Sequence, residues 1–233
     1  MQAIILAGGK GTRLRPYTTI LPKPLMPIND MPILEVVIRQ LKNNGFTKII
    51  MAVGYLAELL EAYFGDGSRW GVEISYSREE KPLGTAGPLT LVDDLDDTFL
   101  MMNGDILTDL NYFELMNFHK QNNSKITIAT YNKEVKIDLG ILKVNDSHEI
   151  YDYIEKPTLI HQVSMGIYAI DKSMVEMIPR DKPFDLPDLI KLSIKNKIKV
   201  LSYSFENYWR DIGRKDDYEL ALEEYDKEKL NVL

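Results

Sequence analysis

Short apolar runs alternate with segments of helical period through the first half of the chain. Residues 2–7 form an almost continuous apolar run, as expected for a strand that is buried on both faces of a sheet. Comparable strand-length runs follow at 48–53, 72–77 and 98–102. Strands that alternate with helices are typical of a parallel sheet covered by helices. The pattern therefore predicts an α/β fold with a mainly parallel sheet.

Helix signals lie between these runs. Asn29 or Asp30 can cap a helix that has Pro32 in its first turn and ends at Gly45. Its apolar positions between residues 33 and 41 recur with helical period. Two further helices are predicted, over 56–64 and over 85–92.

The second half contains more strand signals than helix signals. Closely spaced β-type segments lie at 125–131, 140–144, 150–154, 163–170 and 198–203. Only short helices are predicted among them, around Met174 and Leu189. Residues 218–229 are rich in Glu, Leu, Ala and Lys, which predicts a closing amphipathic helix. We therefore expect a β-rich lobe attached to the sheet of the first half.

Composition narrows the class of protein. The chain has 233 residues, 28 Lys and Arg against 35 Asp and Glu, a net charge of −7 and no cysteine. This length fits one domain, and the lack of cysteine excludes disulfides, thiolate metal sites and cysteine nucleophiles in this sequence. An acidic balance argues against nucleic-acid binding. No apolar run approaches the roughly 18 residues of a membrane span, and the first run is too short for a secretory signal. We therefore expect a cytoplasmic protein that binds neither nucleic acid nor membranes.

The loop after the first strand has the composition of a phosphate site. It contains three glycines and three basic residues: Gly8, Gly9, Lys10, Gly11, Arg13 and Arg15. Glycines let the backbone turn sharply with its N–H groups facing one concavity, where phosphate oxygens can bind. Arg supplies a planar fork of donors and Lys a compact charge, so the set suits a triphosphate.

Two known glycine motifs do not fit this loop. From Gly9 the chain reads Gly-Lys-Gly-Thr-Arg-Leu, so the third glycine of the dinucleotide fingerprint is missing. The P-loop requires Ser or Thr after its Gly-Lys, whereas Gly11 follows Lys10. A plain tight turn would explain two glycines, but not three glycines with two arginines.

A second segment follows in which two prolines flank one lysine. Pro22 and Pro24 hold the chain extended, so Lys23 is presented from a stiff segment. With the glycine loop before it, this spacing resembles the sugar-phosphate nucleotidyltransferases, or NDP-sugar pyrophosphorylases. Four further elements of that family are matched: Gly84-Thr85-Ala86-Gly87, Asn103-Gly104-Asp105, Glu155-Lys156-Pro157 and Trp209-Arg210-Asp211-Ile212-Gly213. The resemblance covers residues 1–218 and is greatest to stand-alone domains like mannose-1-phosphate guanylyltransferase.

The resemblance implies a fold and a reaction. The fold is Rossmann-like and of the nucleotide-diphospho-sugar transferase type, with a mixed, mainly parallel sheet and a β-rich sugar-binding lobe. The reaction transfers a nucleotidyl group from a nucleoside triphosphate to a sugar 1-phosphate and releases pyrophosphate, with Mg²⁺ as cofactor. Guanylyl transfer to mannose or manno-heptose 1-phosphate is the main interpretation. Two alternatives stay open: uridylyl or thymidylyl transfer to MurNAc, GlcNAc or glucose 1-phosphate, and a non-catalytic regulatory homologue.

Residue roles also follow from the resemblance. The catalytic residues are Arg13, Lys23, Asp105 and Asp211, and the two aspartates hold the metal. The nucleotide is bound by Leu6, Ala7, Gly8, Gly9, Gly11, Thr12, Arg13, Lys23, Gly84, Thr85 and Asn103. The sugar phosphate is bound by Gly140, Glu155, Lys156 and Ser164.

Two of these assignments need comment. An Asp beside Gly is a common turn former, but magnesium prefers one or two carboxylates with substrate phosphates, which Asp105 and Asp211 can supply. Many family members carry Asn where this chain has Ser164, so the identity of the sugar stays open. We expect Lys23→Ala or Asp211→Ala to lose most turnover with an intact fold.

No repeat, linker or low-complexity tract divides the sequence. We therefore expect one domain over 1–233, with a nucleotide-binding half at 1–120, a sugar-phosphate-binding half at 121–215 and a closing helix at 216–233. The sequence stops soon after that helix, so no left-handed β-helix domain and no acyltransferase activity are expected. A homodimer is the assembly under consideration.

Overall fold

The computed structural model describes residues 1–224. Its strands are β1 (Gln2–Leu6), β2 (Pro27–Ile28), β3 (Met31–Pro32), β4 (Lys48–Val53), β5 (Glu73–Arg78), β6 (Thr98–Asn103), β7 (Ile106–Thr108), β8 (Ile126–Lys136), β9 (Ile141–Val144), β10 (Ile150–Ile154), β11 (Thr158–Asp171), β12 (Val200–Phe205) and β13 (Trp209–Asp211). Its α-helices are α1 (Ile33–Asn43), α2 (Ala57–Phe64), α3 (Tyr112–Gln121), α4 (Leu186–Lys195) and α5 (Lys215–Glu224).

Seven strands form the central sheet, in the order β12-β8-β11-β6-β1-β4-β5. The pairs β1–β4, β1–β6, β4–β5 and β8–β12 are parallel, whereas β11 runs antiparallel to both its neighbours. The predicted mixed, mainly parallel sheet is therefore confirmed. Strands from both halves of the sequence belong to it. In a sheet of this kind ligands bind beyond the carboxyl ends of the parallel strands, so a ligand site is expected at the loops after β1 and β6.

Both faces of the sheet are covered. Alternate residues of a strand point to opposite faces, and the buried residues of β1 separate accordingly. Ala3 and Ile5 pack in the cluster that includes α1, α2 and α3, whereas Ile4 packs in the cluster that includes α4. A continuous apolar run is required because neither face of this strand meets water.

A third apolar cluster lies beneath the segment that follows the glycine loop. Leu14, Met26 and Ile212 are buried in it, together with Tyr218 of α5. The Tyr218 hydroxyl also donates to the backbone oxygen of Pro27 at 2.6 Å. Packing of this kind restricts the segment that carries Arg13 and Lys23.

A short two-stranded arm, formed by β9 and β10, is a sheet of its own. It lies between the long strands β8 and β11 in the chain, and the far ends of those strands pair Lys136 with Thr158. Apolar side chains on the arm are exposed: Ile150 is 61% and Tyr153 59% accessible. The arm therefore holds its shape through strand pairing rather than through a buried core.

Several local predictions differ from the structure. The helix expected over 85–92 is a 3₁₀ helix over Gly87–Leu91, with Pro88 in its first turn. Pro32, not Asn29 or Asp30, caps α1, because Asn29 has a positive φ of 52° in the turn between β2 and β3. The strand expected over 163–170 extends over Thr158–Asp171.

Helices α3 and α5 also differ from the prediction. Helix α3, capped by the side chain of Asn111, was not predicted, because its apolar and polar positions separate poorly along the sequence. The closing helix predicted over 218–229 begins earlier, at Lys215, and is described to Glu224; residues 225–229 lie outside the described part. No helix within residues 1–224 is both long enough and apolar enough to cross a membrane.

Candidate active site

The glycine loop follows β1 at the carboxyl edge of the sheet. A Cβ placed at Gly8 would stand 2.9 Å from Glu79 Oε1. Gly11 has a φ of 58°, and a Cβ there would stand 2.9 Å from Thr18 Cγ2. A Cβ at Gly9 would meet no atom of the described residues within 4 Å. Gly8 and Gly11 are thus required by the protein itself, whereas Gly9 leaves the loop backbone open to a ligand.

Leu6 and Ala7 hold the loop to the sheet. Leu6 is paired with Ala52 on one side and with Asn103 on the other. The Ala7 backbone N–H donates to Ala52 O at 2.8 Å. The start of the loop is therefore held in place next to the end of β6.

Arg13 faces an open cavity. It belongs to the 3₁₀ turn Thr12–Leu14, which the buried Leu14 anchors. A Cβ placed at Gly213 would stand 3.5 Å from Arg13 Nη1. Arg13 and Asp211 line the same cavity of about 490 Å³. The glycine loop and the late Trp-Arg-Asp segment, almost 200 residues apart in sequence, thus meet at one place.

Lys23 is directed at Asp105. It begins the 3₁₀ turn Lys23–Leu25, in which Pro24 is buried. Lys23 Nζ donates to Asp105 Oδ2 in an ion pair. The two side chains are only 11% and 19% accessible. The segment was expected to be extended, but it turns at Lys23–Leu25 and presents its lysine to the end of β6.

A small two-stranded sheet brings the two predicted metal ligands together. Strand β7 follows Asp105 directly, and β13 ends at Asp211. Their antiparallel register places Asp211 opposite Ile106, and Ile212 N–H donates to Asp105 O at 3.1 Å. Two aspartates 106 positions apart in sequence are neighbours for this reason.

The charges of this group interact. Desolvation, followed by the negative charge of Asp105, raises the pKa of Asp211, whereas Lys23 and Arg13 act to lower it. Asp105 Oδ1 is buried and has no hydrogen-bond partner in the described part of the chain. The group therefore leaves one carboxylate oxygen beside a second carboxylate and able to accept a further ligand.

Strand β11 bends next to this group. Its pairing with β8 shifts between Ser164 and Tyr168, and Gly166 there has a φ of 76°. A Cβ at Gly166 would stand 2.7 Å from Asn103 Nδ2. The Ser164 hydroxyl donates to Tyr168 Oη at 2.9 Å. Gly166 thus brings the bend of β11 against Asn103 at the end of β6. Ser164 and Asn103, both predicted site residues, therefore lie on the same edge as Asp105.

The segment predicted to meet the base lies against the start of α4. Gly84 has a φ of 78°, and a Cβ there would stand 2.8 Å from Phe184 O. The Thr85 hydroxyl donates to Asp185 Oδ1 at 3.2 Å and accepts from the Leu186 N–H at 2.8 Å. The Thr85 side chain is therefore engaged in joining this segment to α4, and a contact of Thr85 with the base stays a prediction.

The remaining predicted sugar residues lie on the arm. Gly140 directly precedes β9 and Glu155 directly follows β10. Lys156 has a φ of 40° although Pro157 follows it. A non-glycine residue in the left-handed region is strained, and such strain is concentrated at functional sites.

The structure thus forms two groups of predicted residues. Arg13, Lys23, Asp105 and Asp211 meet at the edge of the sheet, with the glycine loop, Asn103 and Ser164 around them. Gly140, Glu155 and Lys156 form a separate group on the arm.

Glu79 lies beside the glycine loop, and the sequence analysis did not single it out. It follows β5, its Oε2 accepts from the Leu83 N–H at 2.8 Å, and its Oε1 lies beside Gly8. Glu79 therefore places a carboxylate between the glycine loop and the segment that contains Gly84. The only sequence signal was its position five residues before Gly84. This spacing does not predict a contact with the glycine loop unless the conformation of residues 79–84 is known.

Comparison with known proteins finds relatives along almost the whole chain. A family model described as nucleotidyl transferase matches residues 2–228. A UTP–glucose-1-phosphate uridylyltransferase from Synechocystis sp. is 34% identical over 242 aligned residues, covering 95% of this chain and 62% of that protein. A mannose-1-phosphate guanylyltransferase from Mycobacterium tuberculosis is 30% identical over 226 residues, covering 94% of this chain and 62% of that protein.

The chain spans about three fifths of the length of these curated relatives. Among solved structures, HddC from Yersinia pseudotuberculosis superposes with a TM-score of 0.74 at 26% identity, covering 97% of this chain and 99% of that one. This likeness confirms the predicted α/β architecture. Because the family model spans almost every residue, the chain belongs to the nucleotidyl transferase family.

Proposed function

We propose that this chain transfers a nucleotidyl group from a nucleoside triphosphate to a sugar 1-phosphate and releases pyrophosphate. The observation that carries this proposal is the group formed by Lys23, Asp105, Asp211 and Arg13 beside the open glycine loop. It combines positive charge for phosphates with two carboxylates for a cation. The names of the two curated relatives support the same reaction class.

Mg²⁺ is the proposed cofactor, and the residues fit it. Magnesium prefers one or two carboxylates together with substrate phosphate oxygens, and Asp105 has a buried carboxylate oxygen without a partner among the described residues. No group of three or more His, Asp or Glu side chains surrounds one point within residues 1–224, so phosphates would complete the coordination. Asp105 and Asp211 would hold the ion, which supplies positive charge to the reacting phosphates when bound.

The chemistry needs no protein nucleophile. An oxygen of the sugar phosphate forms a bond to the α-phosphorus in line, and the bond from that phosphorus to the bridging oxygen breaks. Pyrophosphate leaves with the electron pair. The residues contribute positioning and charge: Arg13 lies toward the departing pyrophosphate, Lys23 toward the reacting phosphates, and the open backbone at Gly9 toward the triphosphate.

Glu79 supports guanine as the base. A carboxylate only accepts hydrogen bonds, and guanine offers two neighbouring donors, N1–H and the N2 amino group. Uracil and thymine offer one N–H between two carbonyl oxygens, which a carboxylate would repel. We therefore propose guanylyl transfer, with mannose or manno-heptose 1-phosphate as acceptor. Uridylyl transfer is the second candidate, because a uridylyltransferase is 34% identical to this chain.

Pyrophosphate release tests these proposals. Five nucleoside triphosphates, GTP, UTP, dTTP, CTP and ATP, are screened with Mg²⁺ against mannose, glucose, GlcNAc, MurNAc and manno-heptose 1-phosphates. We expect turnover with GTP and one of the manno sugars. Silence across the screen from folded protein would contradict the proposed activity and favour the regulatory alternative.

The role of Glu79 is tested by Glu79→Gln, because an amide both donates and accepts. We expect this variant to lose preference for GTP over UTP by about tenfold, the size of effect that one altered hydrogen bond to a charged group produces. Glu80→Gln, the same change at the exposed neighbour, is the control. An unchanged base preference would remove Glu79 from the base site.

A further inference from the structure

One face of the arm brings three residues together. The pairing of β9 with β10 sets Tyr153 opposite Leu142 and Ile154 opposite Ile141. Continued by one step, this register sets Glu155 opposite Gly140. Because side chains alternate along a strand, Tyr153 and Glu155 lie on the same face of the arm. The face therefore carries a tyrosine, a carboxylate and a glycine side by side.

The ring of Tyr153 lies over Gly140. A Cβ at Gly140 would stand 2.9 Å from Tyr153 Cε2 and would overlap the tyrosine hydroxyl oxygen. Any other residue at this position would displace the ring. The glycine thus leaves room for the tyrosine ring in this position.

The hydroxyl of Tyr153 reaches the carboxylate of Glu155. Tyr153 Oη donates to Glu155 Oε2 at 2.6 Å, and this hydrogen bond raises the pKa of Tyr153. The tyrosine is 59% accessible, so core packing does not impose the contact. A short hydrogen bond to a carboxylate is charge-assisted and comparatively strong. It fixes one oxygen of Glu155 and leaves Oε1 for other donors.

We propose that Tyr153 is the positioning residue for Glu155, and that Gly140 admits its ring so that the carboxylate is held ready for the hydroxyl groups of a sugar 1-phosphate. The inference rests on the proposed function, because it takes Glu155 as the residue that binds the sugar. A free glutamate must lose rotamer freedom when it binds. Tyr153 holds the side chain before the sugar arrives, so its contribution is to affinity.

Tyr153→Phe isolates this contribution. The variant keeps the ring over Gly140 and removes only the hydroxyl. We expect the KM for the sugar 1-phosphate to rise about three- to tenfold, the range expected for releasing one long side chain, with kcat and the KM for the nucleoside triphosphate within twofold. Tyr151→Phe is the matched control, since Tyr151 lies on the same strand and is 66% accessible.

A double-mutant cycle with Glu155→Ala separates positioning from direct contact. If Tyr153 acts through Glu155, Tyr153→Phe has no further effect once Glu155 is removed. An equal rise in KM in both backgrounds would mean that Tyr153 meets the sugar itself, and would overturn the proposal. An unchanged KM in Tyr153→Phe alone would also overturn it, while leaving the proposed reaction intact.

Calorimetric titration of all five sugar 1-phosphates of the activity screen distinguishes failure of this proposal from failure of the proposed function. If the wild type shows no turnover but binds a sugar 1-phosphate, a three- to tenfold weaker Kd in Tyr153→Phe, absent from Tyr151→Phe, supports the positioning role while the proposed reaction fails. If the wild type neither binds nor turns over these sugars, both proposals are overturned.

Discussion

The two groups of candidate residues are supported in different ways. At the sheet edge, Lys23 and Asp105 are 11% and 19% accessible, and the segments that carry them are tied to buried clusters. On the arm, Tyr153 is 59% accessible, and Glu155 is positioned by one hydrogen bond from it. The first group is held by the core of the protein, whereas the second is held by strand pairing and a surface contact.

This difference indicates that substitutions on the arm can change specificity without loss of the fold. Near the sheet edge the segments that carry Arg13 and Lys23 pack into buried clusters, so many substitutions there disturb packing as well as chemistry. Substitutions on the arm change the side chains that a ligand can contact, and they have little effect on the stability of the fold. The reacting phosphates would thus meet a rigid part of the protein, and the sugar would meet a part that can be varied.

The largest effect is expected at the sheet edge. Asp211→Asn should lower turnover by about 10²–10³-fold, the size seen when one group that stabilises transition-state charge is removed. The raised pKa of Asp211 means that the folded protein binds its proton more readily than the unfolded chain does. Stability therefore falls as pH rises through its titration, and the amide, which carries no charge, should leave Tm at pH 7 unchanged or higher.

Pyrophosphate release and thermal melts of the same preparations check this prediction. Asp94→Asn, at a carboxylate that is 94% accessible, is the control and should change neither. Turnover of Asp211→Asn within tenfold of wild type would contradict the role of Asp211. Lys23→Ala should also lose most turnover, but its Tm should fall, because the poorly accessible Asp105 loses its cation.

Substitution of one isoleucine in the core and one on the arm compares how much each region contributes to the free energy of unfolding. Ile5 is fully buried, whereas Ile150 is 61% accessible. Ile5→Ala should cost about 2–5 kcal/mol in the free energy of unfolding, because it leaves a cavity. Ile150→Ala should change that free energy by less than about 0.5 kcal/mol. Urea unfolding measures both, and similar values would mean that the arm is packed against something in solution.

The smallest effect on the fold is expected at Gly9. Gly11→Ala should cost about 1–2 kcal/mol, because alanine is strained at a φ of 58°. Gly9→Ala should leave stability within about 0.5 kcal/mol, since a Cβ there meets no atom of the described residues within 4 Å. It should nevertheless raise the KM for the nucleoside triphosphate several-fold. A stable Gly9→Ala variant with an unchanged KM would show that the phosphates bind elsewhere.

Much of the architecture could be predicted from local signals. The apolar run of β1 specifies a doubly buried strand, and the expected strand at Lys48–Val53 has the predicted bounds. Helix α2 also ends before Gly65 as predicted. Each of these features depends on residues close together in sequence. Helix α3 and the full length of β11 were missed, because their local patterns are weak and their neighbours in the fold determine them.

Local sequence patterns specify the class of fold, the glycine loop, the proline-flanked lysine and the residue types needed for a phosphate and metal site. The contacts between these residues depend on the packing of segments that are distant in sequence. Asp105 and Asp211 are neighbours because β7 pairs with β13, Glu79 borders the loop because its carboxylate binds Leu83, and Tyr153 covers Gly140 because of the register of the arm. Strand register and side-chain direction set these contacts between positions far apart in the chain. Local hydrophobic periodicity predicts single strands and helices, and it does not predict which distant residues they bring together.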